Sequence, residues 1–173
     1  MVKLSESLDR ELRWVKRGFW KISYELQAGS DVVATFGLKN AFSSLGTAES
    51  EDGCWTFKRV GFWQNRVIVR PCGSEEEVGR FYSRTWRGGG PFQLANGKRF
   101  DGEANFWHTR FEFKDSEGVA VVRFRTGGCM NKWIVVEVPE GAARVPELPL
   151  LVMLGQYLLV MMFMDAAAAS AAS

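Results

Sequence analysis

The sequence predicts a mainly β protein, a closed antiparallel β-barrel of about 10–12 strands that encloses a hydrophobic C-terminal α-helix. Two observations lead to this prediction. Short segments in which apolar and polar residues alternate follow one another through residues 12–138, separated by turn signals. The block 148–164 is then apolar on every side except at Gln156, and a helix of that kind is buried in protein or in lipid.

The length of 173 residues fits one domain with a substantial core. We expect a single domain over 1–173, and its seven Trp and thirteen Phe favour strands. Its predicted parts are an N-terminal lead at 1–10, strands over 12–138, a central helix at 147–165 and an Ala/Ser tail at 166–173.

The alternation is clearest near the N-terminus, where Trp20, Ile22, Tyr24 and Leu26 are predicted to share one face of a half-buried strand. A turn signal follows, and residues 32–38 are predicted as its hairpin partner. Further strand signals lie at 12–16, 45–49, 78–86, 92–100, 104–107 and 132–138.

Two later segments share this hairpin pattern, an aromatic-rich strand followed by a turn and a Val-rich strand. One joins 54–60 to 66–70, and the other joins 109–114 to 119–124. Both have Phe-Lys at the end of the first strand, which suggests a short internal duplication.

The apolar block has two possible positions. At about 1.5 Å per residue it spans roughly 25 Å, which is short for a bilayer but close to the height of a barrel of tilted strands. Gln156 would need a partner in lipid, and no Lys or Arg follows the block. We therefore place the helix inside the barrel, with Gln156 hydrogen-bonded and Gly155 close to strand backbone. The alternative is a membrane protein whose soluble β domain is tail-anchored by helix 148–164.

Many strands followed by one apolar helix resembles the tubby C-terminal-like superfamily, which includes tubby domains, phospholipid scramblases and LURP-one-related proteins. The Leu154-Gly155 step, continuing through Met161-Met162-Phe163-Met164 to Asp165, is similar to the terminal helix of scramblases. The resemblance implies a twelve-stranded barrel around a hydrophobic C-terminal helix. The chain is short for such a barrel, and it contains no tubby signature or scramblase calcium segment.

Charge and cysteine usage restrict the setting of the protein. The net charge is +2 with both signs mixed throughout, so no nucleic-acid partner is expected. Cys54, Cys72 and Cys129 are odd in number and widely spaced, which suits reduced thiols better than a disulfide framework. Residues 1–17 have no apolar run typical of a signal peptide. We expect a cytoplasmic protein, with C-terminal membrane anchoring as the alternative.

The motifs that carry chemistry are weak. His108 is the only histidine, Gly88-Gly89-Gly90-Pro91 lacks the Lys and Ser/Thr of a phosphate loop, and Glu75-Glu76-Glu77 fits a solvated turn. We therefore expect no catalytic residues, no metal site and no cofactor, in a protein that is not an enzyme.

One group of residues around the predicted hairpin 54–70 has a possible binding role. Phe62 and Trp63 lie at its tip, and basic side chains are predicted to point outward beside them. The candidate contacts are Lys58, Arg59, Phe62, Trp63, Arg66 and Arg70. These residues predict a binding or interaction module that associates with anionic phospholipid or a membrane surface. The sequence does not identify a protein partner.

Overall fold

The structure is a computed structural model, and it describes residues 1–18, 20–84, 89–105, 107, 109–127 and 133–173. Twelve antiparallel strands form a closed barrel in which each strand pairs with its neighbours in the chain and β1 pairs with β12. The predicted closed barrel with its C-terminal helix is confirmed. The strands are β1 Leu12–Arg17, β2 Ser23–Ala28, β3 Asp31–Leu38, β4 Leu45–Ser50, β5 Gly53–Val60, β6 Arg66–Pro71, β7 Gly79–Tyr82, β8 Gly90–Leu94, β9 Arg99–Ala104, β10 Arg110–Lys114, β11 Ala120–Gly127 and β12 Trp133–Glu137.

Within the described residues, helical structure lies near the two ends of the chain. Short 3₁₀ helices span Leu4–Glu6 and Glu140–Arg144, and one α-helix, α1, spans Leu148–Ala171. The helix has Pro149 in its first turn, where a missing N–H is tolerated, and it continues through most of the Ala/Ser tail.

The alternation of side chains along the strands sends one set into the barrel. Tyr24 and Leu26 of β2 are buried, as the pattern predicts, and Ala28 extends the same buried face. The prediction that Trp20 shares their face is wrong, because β2 begins only at Ser23 and Trp20 lies in the preceding connection, 95% exposed. Gly18, with φ +72°, turns the chain at this point.

Consecutive strands are all antiparallel, so the connections alternate between the two ends of the barrel. The end that we call the aromatic end holds the connections β1–β2, β3–β4, β5–β6, β7–β8, β9–β10 and β11–β12. The opposite, acidic end holds the connections β2–β3, β4–β5, β6–β7, β8–β9 and β10–β11.

The helix α1 runs through the barrel from the acidic end to the aromatic end. Lys98, in the β8–β9 connection, binds Glu147 at the start of the helix (Nζ to Oε1, 2.8 Å). Arg59, near the end of β5, binds Asp165 beyond the last buried turn. Residues 148–161 are buried apart from the half-buried Pro149, and α1 contacts β3, β5, β10 and β11 on different sides of the barrel.

Aromatic contacts hold the half of α1 that lies towards the aromatic end of the barrel. Tyr157 stacks on Phe57 of β5 with ring centroids 5.4 Å apart, and it meets Phe36 of β3 edge-on. Its hydroxyl donates a 2.7 Å hydrogen bond to the Ser44 carbonyl at the aromatic end. Burial raises the pKa of this hydroxyl well above its ordinary value.

Two expectations for the middle of the helix are wrong. Gly155 gives room to the Phe124 ring rather than to strand backbone, because any Cβ at this position would overlap that ring. The Gln156 amide is fully buried, and neither of its side-chain atoms has a hydrogen-bond partner among the described residues. The buried residues of the described core are almost all apolar, so the interior offers few donors or acceptors to this amide.

The helix also meets the length and composition criteria for a membrane span, with 67% of its most hydropathic window buried inside the barrel. Core helices of soluble proteins meet the same criteria.

The expectation of reduced thiols is wrong for two of the three cysteines. Cys54 and Cys72 form a disulfide with Cα atoms 5.4 Å apart. The register of β5 and β6 pairs Trp55 with Pro71. Cys54, which precedes Trp55, therefore lies opposite Cys72, which follows Pro71. Cys129 lies outside the described residues.

The predicted short duplication is not reflected in the positions of the two hairpins. The β5–β6 hairpin turns at the aromatic end, whereas the β10–β11 hairpin turns at the acidic end. Two hairpins that turn at opposite ends of the barrel do not occupy equivalent places in it.

Candidate functional site

The predicted contact residues cluster in part around the β5–β6 connection. Phe62 and Trp63 are 90% and 80% exposed, and their rings pack edge-on against each other with centroids 4.9 Å apart. Lys58 on β5 and Arg66 at the start of β6 are exposed beside them. Four of the six candidate residues therefore share one surface.

The two remaining candidates are held in ion pairs. Both guanidinium Nη atoms of Arg59 bind the Asp165 carboxylate, at 2.9 and 2.7 Å, and the Arg59 side chain is only 17% exposed. Arg70 lies four residues further from the tip than Arg66, and it faces Glu75 and Glu77 at 3.6 Å. The structure thus places Arg70 towards the acidic end, away from Phe62 and Trp63.

The aromatic surface extends beyond the predicted hairpin. Trp20, Phe42 and Trp107 lie in three other connections of the aromatic end and are 95%, 100% and 77% exposed. Exposed large apolar residues that gather on one face mark interaction sites. Sequence reasoning missed these three; the dipeptide Phe-Trp, which recurs at 19–20, 62–63 and 106–107, was a visible signal for Trp20 and Trp107 but not for Phe42.

Positive charge surrounds these aromatic side chains. In the described part of the chain, eight basic side chains have no acidic group within ion-pair distance, and all eight are exposed. Six of them lie at or near the aromatic end: Lys16, Lys21, Lys39, Lys58, Arg66 and Arg110. The other two are Lys3 and Arg144, which lie at the acidic end.

Acidic residues show the opposite distribution. The sequences that join the strands at the aromatic end contain no Asp or Glu. The connections of the acidic end contain Glu51, Asp52, Glu75, Glu76, Glu77, Asp115 and Glu117. Hydrogen bonding from Arg80, with burial acting against it, holds the pKa of Glu77 below its ordinary value.

A shallow groove on the outer face of β9–β12 is the other candidate surface. Most of the charges that line it bind one another, such as Arg123 with Glu112 and Arg125 with Glu137, and Arg110 at its edge is unpaired among the described residues. Since these charges neutralise one another, the groove offers little to a charged ligand.

Other chemistry finds little support in the described residues. Across them, no three His, Cys, Asp or Glu side chains gather so as to hold a metal ion. His108 and Gly88 lie outside the described residues. Glu75 and Glu76 are exposed, as predicted for a solvated turn.

The fold and this surface define a class of protein: a closed twelve-stranded barrel with an enclosed helix and one apolar, basic end. No protein family model matches the sequence, and no curated protein matches it significantly. The chain is similar in structure to a protein from Arabidopsis thaliana solved by X-ray crystallography, with a TM-score of 0.56 and 10% sequence identity. The alignment covers 97% of this chain and 98% of the Arabidopsis chain, and it shows a shared fold.

Proposed function

We propose that this protein is a binding module that associates with anionic lipid at a membrane surface through its aromatic end. The carrying observation is the combination of exposed aromatic side chains with unpaired cations at one end of the barrel. Trp and Phe favour the interface between water and lipid, and each Lys or Arg near an anionic leaflet contributes about 1 kcal/mol.

The β5–β6 hairpin is the proposed centre of this contact. Lys58 and Arg66 supply the charge, while Phe62 and Trp63 supply the apolar surface. Arg59 and Arg70 are engaged with acidic side chains and contribute less.

The experiment is sedimentation with vesicles of phosphatidylcholine alone or with about 30 mol % phosphatidylserine. We expect binding only to the anionic vesicles. Lys58→Glu combined with Arg66→Glu should lower it by about thirtyfold or more, because at least two favourable charges are removed. The matched control is Lys3→Glu with Arg144→Glu, which reverses two exposed, unpaired cations at the acidic end. Equal binding to both kinds of vesicle, or equal loss in both double variants, would contradict the proposal.

We also propose that the chain belongs to the tubby C-terminal-like superfamily. The number of strands and the enclosed C-terminal helix agree with what the sequence resemblance implies, and the Arabidopsis structure shares the fold over almost its whole length. A crystal structure in which the last helix lay outside an open sheet would contradict this assignment.

A further inference from the structure

The exposed tryptophans recur at regular intervals. Trp20, Trp63 and Trp107 are separated by 43 and 44 residues, and each is preceded by Phe in the sequence. They occupy the connections β1–β2, β5–β6 and β9–β10, so they are four strands apart around a barrel of twelve.

The strand that follows each tryptophan repeats its inward positions. Four residues after each Trp lies a buried side chain, Tyr24 in β2, Val67 in β6 and Phe111 in β10. Two residues further on, Leu26, Val69 and Phe113 are buried in the same way.

The turn that follows each of these three strands also contains a glycine with positive φ. Gly29, Gly73 and Gly118 follow these strands at the acidic end, with φ of +62°, +72° and +80°. Gly53 and Gly97, with φ of +153° and +90°, lie at the other two turns of this end, so a glycine with positive φ is common to all five acidic-end turns. The three tryptophans lie in every second connection of the aromatic end, and each precedes a strand with the same inward positions.

This topology places the three tryptophans at evenly spaced positions on the rim of the aromatic end. Four strands at about 4.8 Å spacing separate each from the next by about 20 Å around the barrel. Three widely spaced points define a plane, whereas a single hairpin tip leaves the tilt of the barrel free. All three side chains are mostly exposed, by 95%, 80% and 77%.

The positive charge at this rim favours binding to an anionic surface over binding to a neutral one. Lys16, Lys21 and Lys39 lie in or beside the connections β1–β2 and β3–β4, Lys58 and Arg66 flank the connection β5–β6, and Arg110 follows the connection β9–β10. None of these six has an acidic partner in the part of the chain that the structure describes. The unpaired cations are thus distributed around the rim rather than at one hairpin.

We propose that Trp20, Trp63 and Trp107 insert together into an anionic membrane, so that the barrel docks end-on with its axis along the membrane normal. This inference rests on the proposed lipid association and adds its geometry. Residues 166–173, which comprise the last part of α1 and the two residues after it, are exposed beyond Asp165 at the same end and carry no charged side chain. They can enter the interfacial region without bringing an ionised side chain into it.

The test compares Trp20→Ser, Trp63→Ser and Trp107→Ser in partitioning onto vesicles with about 30 mol % phosphatidylserine. We expect each variant to lower partitioning by about tenfold, because each removes one inserted aromatic side chain. Val119→Ser is the matched control, since Val119 is the exposed apolar side chain of the β10–β11 turn at the acidic end, and it should change partitioning less than twofold. Amide exchange on the vesicle-bound protein should show protection at 18–22, 61–65 and 105–109 and none at the acidic-end turns.

The outcomes separate the two proposals. If Trp63→Ser alone weakens partitioning while Trp20→Ser and Trp107→Ser do not, the protein binds lipid through one tilted hairpin and end-on docking is overturned. If the unmodified protein ignores anionic vesicles altogether, both the lipid association and the docking geometry fail. Protection of the acidic-end turns would reverse the orientation and overturn the inference as well.

Discussion

The acidic end and the aromatic end of the barrel differ in how far their side chains bind one another. At the acidic end, short turns bring charges together, as Arg80 with Glu77 and Lys98 with Glu147, and the Cys54–Cys72 disulfide joins neighbouring strands. At the aromatic end, large apolar side chains are exposed and most nearby cations have no partner.

This difference separates the groups that stabilise the fold from the groups that are available to a binding partner. Groups that bind one another within the chain contribute to the free energy of folding, whereas exposed aromatic side chains and unpaired cations contribute little to it. Changes at the acidic end and at the paired groups Arg59 and Tyr157 should therefore alter unfolding, whereas changes at the exposed aromatic side chains should alter binding.

The largest effect on stability should come from removing α1, which runs from one end of the barrel to the other. Deleting residues 148–173 takes away the helix that fills the barrel from one end to the other. We expect loss of cooperative unfolding and aggregation, measured by circular dichroism and size-exclusion chromatography. A tail-anchored β domain would instead stay folded and become more soluble.

The disulfide gives the next largest effect, and it is confined to the acidic end. Cys54→Ala with Cys72→Ala removes a link between residues 18 apart in sequence, which should lower the free energy of unfolding by about 3 kcal/mol. Urea unfolding with and without a reductant measures it. The reductant should destabilise the unmodified protein and leave the double variant unchanged; equal stability of the two proteins under oxidising conditions would contradict the disulfide.

Tyr157 connects the helix to the aromatic end, and its removal should have an intermediate effect. Tyr157→Phe loses the hydrogen bond to the Ser44 carbonyl, which should cost about 1 kcal/mol in urea unfolding at neutral pH. Tyr24→Phe is the matched control, because Tyr24 is also buried but its hydroxyl is not bonded to that carbonyl.

The same residue predicts a pH dependence. Burial raises the pKa of Tyr157 in the folded state, so the folded protein holds this proton more tightly than the unfolded chain. The stability this provides is fully present below about pH 10 and is lost as the pH rises further. Tyr157→Phe should reduce this alkaline loss by about 1.4 kcal/mol per pH unit. A variant with an unchanged slope above pH 10 would contradict the burial of this hydroxyl.

The ion pairs at the two ends of α1 should differ modestly. Arg59 binds Asp165 through two hydrogen bonds, whereas Lys98 binds Glu147 through one. Double-mutant cycles with alanine should give coupling energies of about 1 and about 0.5 kcal/mol respectively. Both should fall with added salt, and equal couplings would remove this distinction between the ends.

The smallest effect on stability should come from the aromatic rim. Trp20→Ser, Trp63→Ser and Trp107→Ser should each change the free energy of unfolding by no more than about 0.5 kcal/mol. A loss above about 1 kcal/mol in any of them would indicate a side chain that covers the barrel rather than one presented to a partner.

The fold was readable from the sequence because alternation and turn residues are local signals. Tyr24 and Leu26 mark the buried face of β2, and the apolar block marks the enclosed helix. The strand boundary before β2 was missed because Trp20 continues the alternation in sequence, and only the turn at Gly18 removes it from the strand.

The contacts at the candidate site were less predictable because they join distant parts of the chain. Asp165 lies 106 residues from Arg59, and no local pattern links them. The disulfide needed the β5–β6 register, which fixes Cys54 beside Cys72. Gln156 was expected to find a partner, but its surroundings are set by inward side chains from many strands.

The closure between β1 and β12 has a consequence for folding. Leu12 pairs with Val136 and Val15 with Trp133, and the helix that fills the barrel follows both strands in the chain. A ribosome therefore makes the whole sheet before it makes the segment that covers the sheet's inner face. We expect the growing chain to expose buried positions such as Phe92, Phe113 and Phe124 until synthesis reaches α1, so that chaperone binding matters most in that interval.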